Sequence, residues 1–430
     1  MIKRTIGILP KVVKLPLKYK RSLQYILRKR GLRSAFRFLL VKYLVGDEGG
    51  EMALLNPLVA RLPRLAFYPF KIEVEHTTAC DKKCIICEHT YWKEKSERLS
   101  FEEFKRIIDQ FPHLLWINIT GEGSGFLNPD FIKMIEYLRA RDISVNFVDE
   151  LDLLDEEKAK KLVEYGVNCI WISMDGATKE TYEKIKVGCS FERTIENLKM
   201  LLRIKKEYKS PLPTICFRFV VNKLNYQEMP QMVELVSSFK KYGDLGEGSK
   251  LEFVGLLKFK EVEHLYFEPP SEIIEETKRK AHELGIEVAF DHMREEELPP
   301  PTECSAWFEP YIMMKGYVLP CCAVLMSNKR PFLREHAFGN LLKDSFWKIW
   351  NSERYRKFRN LVPKREGPVP ILCVGCRAIN MNERMAKYGV AKEIWSSPQT
   401  APSRAGIHQS KIARIWPPYS MPSPFRHFDF

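Results

Sequence analysis

The sequence lacks the marks of a secreted or membrane-spanning protein. Its 430 residues show no charged n-region followed by an unbroken apolar segment and a small-residue cleavage site. The longest uncharged apolar run falls far short of the ~18–20 residues that a spanning helix needs. The eleven cysteines are an odd number, which argues against a disulfide scaffold in a chain of this length. We therefore expect a cytoplasmic protein whose clustered cysteines bind metal or do redox work.

Acidic residues are scarce at the N-terminal end. Residues 1–50 hold thirteen Lys and Arg against only Asp47 and Glu48, so +11 of the formal charge of +14 lies there. Apolar residues recur among these cations at roughly helical spacing, which predicts that residues 1–70 form a basic, amphipathic helical leader. Two interpretations stay open. The helix lies in a membrane interface, or it packs on the rest of the protein with a solvated basic face.

An alternation of strand-like and helix-like segments follows the leader. It predicts an α/β fold with a parallel sheet. Six strands are too few for a closed eight-stranded barrel, so we expect a partial (β/α)6, TIM-like barrel over residues 71–300. A small, cysteine-rich α+β module is predicted over 301–395, and a proline-rich, disordered tail over 396–430. The six predicted strands are residues 71–76, 115–120, 144–148, 169–174, 214–221 and 250–256.

Three cysteines, Cys80, Cys84 and Cys87, lie within the stretch ACDKKCIIC directly after the first predicted strand. Three thiolates at this spacing suit a [4Fe–4S] cluster that keeps one iron open for a ligand. A structural zinc site would need a fourth donor, for which His89 is the nearest candidate. An open coordination position is typical of a catalytic centre, so the motif favours an enzyme.

This CxxxCxxC motif, placed after the first strand of a βα series, resembles that of the radical S-adenosylmethionine (SAM) enzymes. The resemblance implies that the open iron binds SAM and that one electron cleaves it to a 5′-deoxyadenosyl radical. This radical abstracts hydrogen from an unactivated C–H bond of the substrate. A one-electron reductant such as flavodoxin or ferredoxin is implied as a partner. No acid, base or radical-quenching residue can be assigned from the sequence.

Two further segments resemble the family's cofactor-binding loops. Residues 119–131 resemble the glycine-rich loop that binds the methionine moiety of SAM. The family has Glu-Pro after the second glycine, whereas this chain has Ser124 and Gly125, so Glu122 is the candidate partner for the SAM amine. Residues 171–186 resemble the ribose-facing segment of the subgroup that carries an extra cluster domain. The resemblance assigns cofactor binding to Gly121, Glu122, Gly123, Ser124, Ser173 and Asp175.

A second cysteine set resembles the SPASM or shorter twitch domains of that subgroup, which bind auxiliary clusters. No cysteine follows Cys376, so we expect one auxiliary [4Fe–4S] cluster rather than two. Cys322 is an alternative ligand to Cys321, and a four-cysteine zinc site is the alternative to iron–sulfur. The predicted ligands are Cys304, Cys321, Cys373 and Cys376.

The substrate is the least determined part of this prediction. The basic leader favours a membrane-associated lipid and attachment to the inner face of the membrane. The alternative is a maturase of a ribosomal peptide or a protein side chain. An alternative of a different class is a zinc-stabilised, nucleic-acid-binding protein, although no nucleic-acid partner is expected. A member that binds the cofactor without catalysis is a third alternative.

Overall fold

The computed structural model describes residues 17–44, 68–257, 259–291, 304, 308–325, 328–364, 366–376 and 381–391. Its main feature is a nine-stranded sheet in the order β7-β6-β5-β4-β3-β2-β1-β8-β9. Strands β1 to β7 are parallel neighbours in chain order, β8 pairs in parallel with β1, and β9 pairs with β8 in antiparallel. This topology is an open, partial barrel, as predicted.

All six predicted strands are present, and the apolar run near residue 288 adds a seventh. The strands are Lys71–Glu75 (β1), Trp116–Thr120 (β2), Ser144–Asp149 (β3), Cys169–Ser173 (β4), Thr214–Val221 (β5), Leu251–Gly255 (β6), Val288–Asp291 (β7), Tyr311–Met313 (β8) and Tyr317–Leu319 (β9). Val369–Pro370 (β10) and Val390–Ala391 (β11) form a separate two-stranded pair.

Helices alternate with these strands. They are Lys20–Leu44 (α1, two helical segments that meet at a kink at Gly31), Phe101–Ile108 (α2), Phe131–Ala140 (α3), Glu156–Glu164 (α4), Lys179–Ile185 (α5), Phe191–Glu207 (α6), Met229–Phe239 (α7), Ser271–Leu284 (α8), Arg330–His336 (α9), Phe346–Trp350 (α10), Glu353–Leu361 (α11) and Asn382–Tyr388 (α12). Two predicted helix starts are confirmed. Ser100 and Glu103 form a capping box at α2, and the Asp155 carboxylate accepts the amide of Lys158 at α4.

The two faces of the sheet differ in chemistry. Ile72 and Val74 of β1 are fully buried in the main apolar core together with residues of the surrounding helices. Because side chains alternate along a strand, Glu73 points to the other face, the interior of the partial barrel. Its register neighbours Asn118 on β2 and, one strand further, Asn146 on β3 lie on the same interior face. The barrel interior is therefore polar along this row.

Helix α1 packs across the N-terminal ends of the barrel strands. Its Arg37 donates to the carbonyl of Leu114, just before β2, and its Arg30 donates to the carbonyl of Tyr165, before β4. Ser34 donates to Asp142, before β3. This placement matches the interpretation in which the helix packs on the barrel. In the parts of the chain that the structure describes, no helix is long and apolar enough to cross a membrane.

The predicted domain boundaries stay predictions, because residues 45–67, 292–303 and the whole predicted tail lie outside the described residues. The described part of the predicted C-terminal module is attached to the barrel through its first strand. Tyr311 of β8 is the register partner of Glu73 in β1. The module thus extends the barrel sheet at the edge opposite β7.

Candidate active site

The loop that carries Cys80, Cys84 and Cys87 leaves the carboxyl end of β1 and is held from two sides. On one side, the amide of Ser124 donates to the carbonyl of Ala79 at 2.9 Å. On the other side, the amides of Lys83 and Ile85 donate to carbonyl oxygens of residues 185–187, at 2.8 and 2.9 Å. The backbone of the cysteine loop is thereby fixed between the loop after β2 and the segment after α5.

The three thiols influence one another electrostatically across this loop. Burial raises the pKa of Cys80 and of Cys87, and the neighbouring thiols add to both effects. The pKa of Cys84 is instead lowered to about 7, because Cys189 donates a hydrogen bond to it and Lys186 lies close by, against the effect of burial. A thiol that ionises near neutral pH is suited to binding iron, since the thiolate is the metal ligand.

Lys186 joins the cysteine loop to the two predicted ribose-binding residues. Its ammonium donates to the Ser173 hydroxyl at 2.8 Å and lies 3.5 Å from the Asp175 carboxylate. Burial alone would lower the pKa of Lys186, but Asp175 and Cys84 raise it well above the ordinary value. Asp175 also accepts the amide of Val220 at 2.8 Å, so it ties the carboxyl ends of β4 and β5 together.

The glycines after β2 allow two loops to approach closely. A Cβ atom on Gly123 would lie 2.5 Å from the carbonyl oxygen of Ala79, and one on Gly121 would lie 2.8 Å from that of Thr77. Gly121 also has a positive φ of 151°, which a side chain disfavours. The two glycines are therefore required for the loop to pack against the backbone that leads into the cysteine motif.

Carboxylates are crowded beside this loop. Burial, followed by the charges of Glu75 and Glu88, raises the pKa of Glu122 well above its ordinary value. The charge of Glu122 in turn contributes to the raised pKa of Cys87, so the two side chains are neighbours. The hydroxyl of Ser124 is buried and has no hydrogen-bond partner in the structure. A site with excess negative charge and an unused hydroxyl suits a cationic ligand, such as the amine and sulfonium of SAM.

The four cysteines of the second set converge from three segments of the chain. Burial is the largest cause that raises the pKa of Cys321. The nearby thiols raise it further, in the order Cys376, Cys373 and Cys304. Asn328 joins two of the segments by donating to the carbonyls of Val324 and Leu372. A thiol-only donor set of four suits an iron–sulfur cluster closed by protein ligands.

Cys322, the alternative ligand, points elsewhere. Its thiol is hydrogen-bonded to the Glu73 carboxylate in the barrel interior, and burial together with that carboxylate raises its pKa. Burial and the charge of Glu309 raise the pKa of Glu73 to about 7. The arrangement therefore favours Cys321 over Cys322 as the ligand. Among the described residues, no donor atoms are drawn together to the distances of a ligated metal, so the ligand assignments stay predictions.

A buried ion pair connects the two halves of the site. Arg330 at the start of α9 donates to both carboxylate oxygens of Glu75 at the end of β1, at 2.9 and 2.6 Å. The amide of Met314 donates to the same carboxylate at 2.7 Å. The guanidinium also lies over the ring of Trp92, at 4.5 Å from its centroid. Side chains from the first cysteine segment and from the C-terminal part thus share one network.

Sequence reasoning missed several of these residues. Lys186 and Cys189 reach the cysteine loop only through backbone pairing between segments far apart in the chain, for which the sequence carries no signal. The sequence did carry a signal for Glu73 and Glu75. Residues 71–76, KIEVEH, alternate charged and apolar side chains, which indicates a polar inner face. Glu150 follows β3, where polar residues of a barrel collect. One of its carboxylate oxygens is buried and has no hydrogen-bond partner among the described residues.

Comparison with known families agrees with this geometry. The model of the Radical SAM superfamily matches residues 74–236, and the model of the SPASM iron–sulfur cluster-binding domain matches residues 304–377. The chain belongs to the radical SAM superfamily and carries a SPASM-type domain. It is an enzyme of the kind that uses SAM, a [4Fe–4S] cluster and an auxiliary cluster. This assignment argues against the zinc-stabilised, nucleic-acid-binding alternative.

Several curated proteins are similar to the chain. One is the tungsten-containing aldehyde ferredoxin oxidoreductase cofactor-modifying protein of Pyrococcus furiosus, 27% identical over 66% of this chain and 82% of that protein. Another is the AdoMet-dependent heme synthase of Methanosarcina barkeri, 24% identical over 72% of this chain and 91% of that protein. The mycofactocin maturase MftC of Mycobacterium tuberculosis is 29% identical over 34% of this chain and 37% of that protein.

The fold also resembles a solved structure, Streptococcus suis SuiB bound to S-adenosylmethionine. The TM-score is 0.54 at 15% sequence identity, with 83% of this chain and 86% of that chain covered. At this identity the likeness establishes the fold alone, and the fold is the partial barrel described above.

Proposed function

We propose that the enzyme performs radical chemistry on a polar substrate, most specifically a peptide or a protein side chain, rather than on a lipid chain. The similarity to proteins named as maturases and as cofactor-modifying enzymes supports this class of substrate. The observation that carries the proposal is the polar row of the barrel interior on β1 to β3, where Glu73, Asn118 and Asn146 lie and where an acyl chain would need an apolar surface.

Several polar atoms in this interior are buried and have no partner in the structure. They include the amide oxygens of Asn118 and Asn146, a carboxylate oxygen of Glu150 and the hydroxyl of Tyr311. Leaving such an atom unsatisfied costs about 1–3 kcal/mol. A peptide, which brings amide donors and acceptors, would satisfy these atoms, whereas a hydrocarbon chain would leave them unpaired.

Charged groups extend this surface toward the rim of the barrel. Arg218 on β5 donates twice to the Glu252 carboxylate on β6, at 2.9 and 2.6 Å, and lies 4.8 Å from the ring centroid of Trp171. Arg218 is the register neighbour of Ser173. A substrate that enters the barrel interior at the carboxyl ends of these strands would therefore meet an ion pair beside an aromatic ring, which is a surface for amides and charges.

The roles of the chain's own residues follow from their positions. In the proposal, Cys80, Cys84 and Cys87 hold the SAM cluster, while Glu122, Ser124, Ser173 and Asp175 orient SAM, with Gly121 and Gly123 shaping its loop. The loaded cluster supplies one electron that cleaves SAM to a 5′-deoxyadenosyl radical. Cys304, Cys321, Cys373 and Cys376 hold the auxiliary cluster. We assign the electron to a cytoplasmic flavodoxin or ferredoxin.

The first experiment measures SAM cleavage. Protein purified anaerobically and reduced with dithionite should form 5′-deoxyadenosine from SAM, and the Cys84→Ala variant should not. Iron and labile sulfide analysis should find about eight irons per chain for two [4Fe–4S] clusters. Absence of 5′-deoxyadenosine in the cluster-loaded protein would support the interpretation that the protein binds the cofactor without catalysis.

The second experiment tests the substrate class. Peptide, small-molecule and lipid fractions of a host extract are added separately, and 5′-deoxyadenosine formation is followed together with mass changes in each fraction. We expect the peptide fraction to stimulate formation and to lose this effect after protease digestion. Stimulation confined to the small-molecule fraction would point to cofactor modification. Stimulation by the lipid fraction alone would overturn the proposal.

A further inference from the structure

Helix α1 exposes large apolar side chains on the face turned away from the barrel. Leu32 is 76% exposed and Phe36 is 63% exposed; Leu27 of the same helix and Leu17, which precedes it, are also exposed. Tyr19, which precedes α1, is buried with Ile26, Ala35 and Phe38, so the two segments of α1 on either side of the kink at Gly31 pack on each other. Leu212 is the barrel residue in this cluster. The exposed residues of the two segments together form the outer face of α1, which no other described residue covers.

Cations surround these exposed apolar side chains. Lys20, Arg28, Lys29 and Arg33 are exposed, and none has a carboxylate partner among the residues that the structure describes. The segment 17–44 contains no Asp or Glu. The outer face of α1 therefore combines apolar side chains with positive charge that no carboxylate among the described residues compensates.

An open pocket of about 870 Å³ continues this surface between α1 and the barrel. Its walls add further cations, including Lys206, Lys209 and Lys241, to Arg28 from the helix. Arg21, which also lines it, is already paired with Asp244 at 3.0 Å. The positive charge around the helix is therefore not confined to one element.

We propose that the outer face of α1 and the adjoining basic pocket form a docking surface for an anionic lipid bilayer. A bilayer interface accepts both features at once, since apolar side chains enter the acyl boundary while cations stay among anionic headgroups. Nucleic acid would match the charge but leave Leu32 and Phe36 in water. An acidic protein partner would need an apolar groove, whereas these side chains protrude singly between cations.

The docking surface lies at the end of the barrel opposite the cysteine loop. Its helix contacts the segments that precede the strands, and the cysteine loop follows the end of β1. A molecule docked in this way would present the active-site rim to the cytoplasm, where peptide substrates and a reductant are accessible. The inference stands independently of the substrate proposal.

Vesicle binding tests this inference. The full-length, cluster-loaded protein is mixed anaerobically with phosphatidylcholine vesicles, or with vesicles containing about one third phosphatidylglycerol, and binding is measured by co-sedimentation. We expect binding to the anionic vesicles only, and its loss at high salt. Combining Arg28→Gln, Lys29→Gln and Arg33→Gln should weaken binding about 100-fold, since each cation near the surface contributes about a factor of five.

Two further variants separate apolar insertion from charge. Leu32→Ser combined with Phe36→Ser should weaken vesicle binding at unchanged net charge. Trp347→Ser, which removes a side chain 61% exposed on the C-terminal part, is the matched control and should bind like the wild type. All variants should keep wild-type 5′-deoxyadenosine formation, which reports intact folding.

Three results would overturn the inference. The first is equal binding to neutral and anionic vesicles. The second is an unchanged affinity of the α1 variants. The third is binding to polyglutamate without binding to vesicles, which would indicate an acidic protein partner. Self-association in sedimentation velocity that is abolished by the Leu32 and Phe36 changes, without vesicle binding, would likewise overturn it in favour of a second copy of the chain.

Discussion

The buried ion pair between Arg330 and Glu75 offers the sharpest test of how the C-terminal part is attached to the barrel. The two side chains are 6% and 0% exposed, and two hydrogen bonds join them. Arg330→Met would keep much of the side-chain volume but remove the charge. Glu75 would then be buried close to the like charge of Glu122, and the amide of Met314 would be the only remaining donor to its carboxylate among the described residues.

The expected loss in the free energy of unfolding is large because Arg330→Met leaves the buried charge of Glu75 uncompensated. Removing one partner of a buried pair costs about 3–5 kcal/mol. For 430 residues, an unfolding entropy of about 2.1 cal/mol/K per residue gives about 0.9 kcal/mol/K. Arg330→Met should therefore lower the melting temperature by about 3–5 °C. Adding Glu75→Gln should recover at least half of this loss, since no buried charge is then left unpaired.

The assay is thermal unfolding of the cluster-loaded protein under anaerobic conditions, followed by tryptophan fluorescence. The matched control is Arg334→Met. Arg334 lies one helical turn further along α9 and pairs with Glu94, but both side chains are partly exposed. Such a pair contributes about 0–1 kcal/mol, so the control should shift melting by about 1 °C or less. Equal shifts in melting temperature for Arg330→Met and Arg334→Met would refute the reasoning. So would a loss of stability in the Arg330→Met, Glu75→Gln double variant that equals the sum of the losses in the two single variants.

Three further changes have defined outcomes. Glu73→Gln should raise the melting temperature by about 3 °C at pH 8 but by about 1 °C at pH 5, measured by the same assay. The raised pKa of Glu73, about 7, means that its protonated form stabilises the fold below pH 4.5 and that this stability is lost as the pH rises to 7. Cys321→Ala should remove about four irons per chain in an iron and sulfide analysis, whereas Cys322→Ala should keep them. Gly123→Ala should cost about 1–3 kcal/mol by thermal unfolding, because its Cβ would lie 2.5 Å from a backbone oxygen. Gly125→Ala, whose Cβ would lie 3.4 Å from its nearest neighbour, should be tolerated.

The barrel could be predicted because its signals are local. Apolar runs separated by capped helices specify strands and helices one at a time, and short βα connections make consecutive strands neighbours. The carboxyl ends of parallel strands then share one rim. That rule is enough to bring the cysteine loop, the loop of Gly121 to Ser124 and the end of β4 at Ser173 together without further information.

The rest of the site depends on contacts that no local pattern carries. The pairing of residues 185–187 with the cysteine loop places Lys186 beside Cys84, and it depends on a connection whose path the sequence does not specify. Cys321 and Cys322 are adjacent, so their sequence distances to every other cysteine differ by only one residue. Only the direction of each side chain separates them, since Cys322 turns to Glu73. The pairing of β8 with β1 is likewise non-local.

The position of α1 weakens the argument from the basic leader to a lipid substrate. The basic leader favours a lipid substrate only if its cations hold the enzyme and its substrate at one surface. Yet Arg37 contacts the residues before β2, and the cysteine loop follows β1, whose five residues span about 17 Å. Trp171 and Cys169 are buried together with Cys216 in a cluster on the barrel-facing side of β4 and β5, so the lower part of the interior is filled. A lipid held at α1 would therefore remain separated from the thiols. The proposed docking at α1 and the substrate class are thus separate questions, and each needs its own experiment.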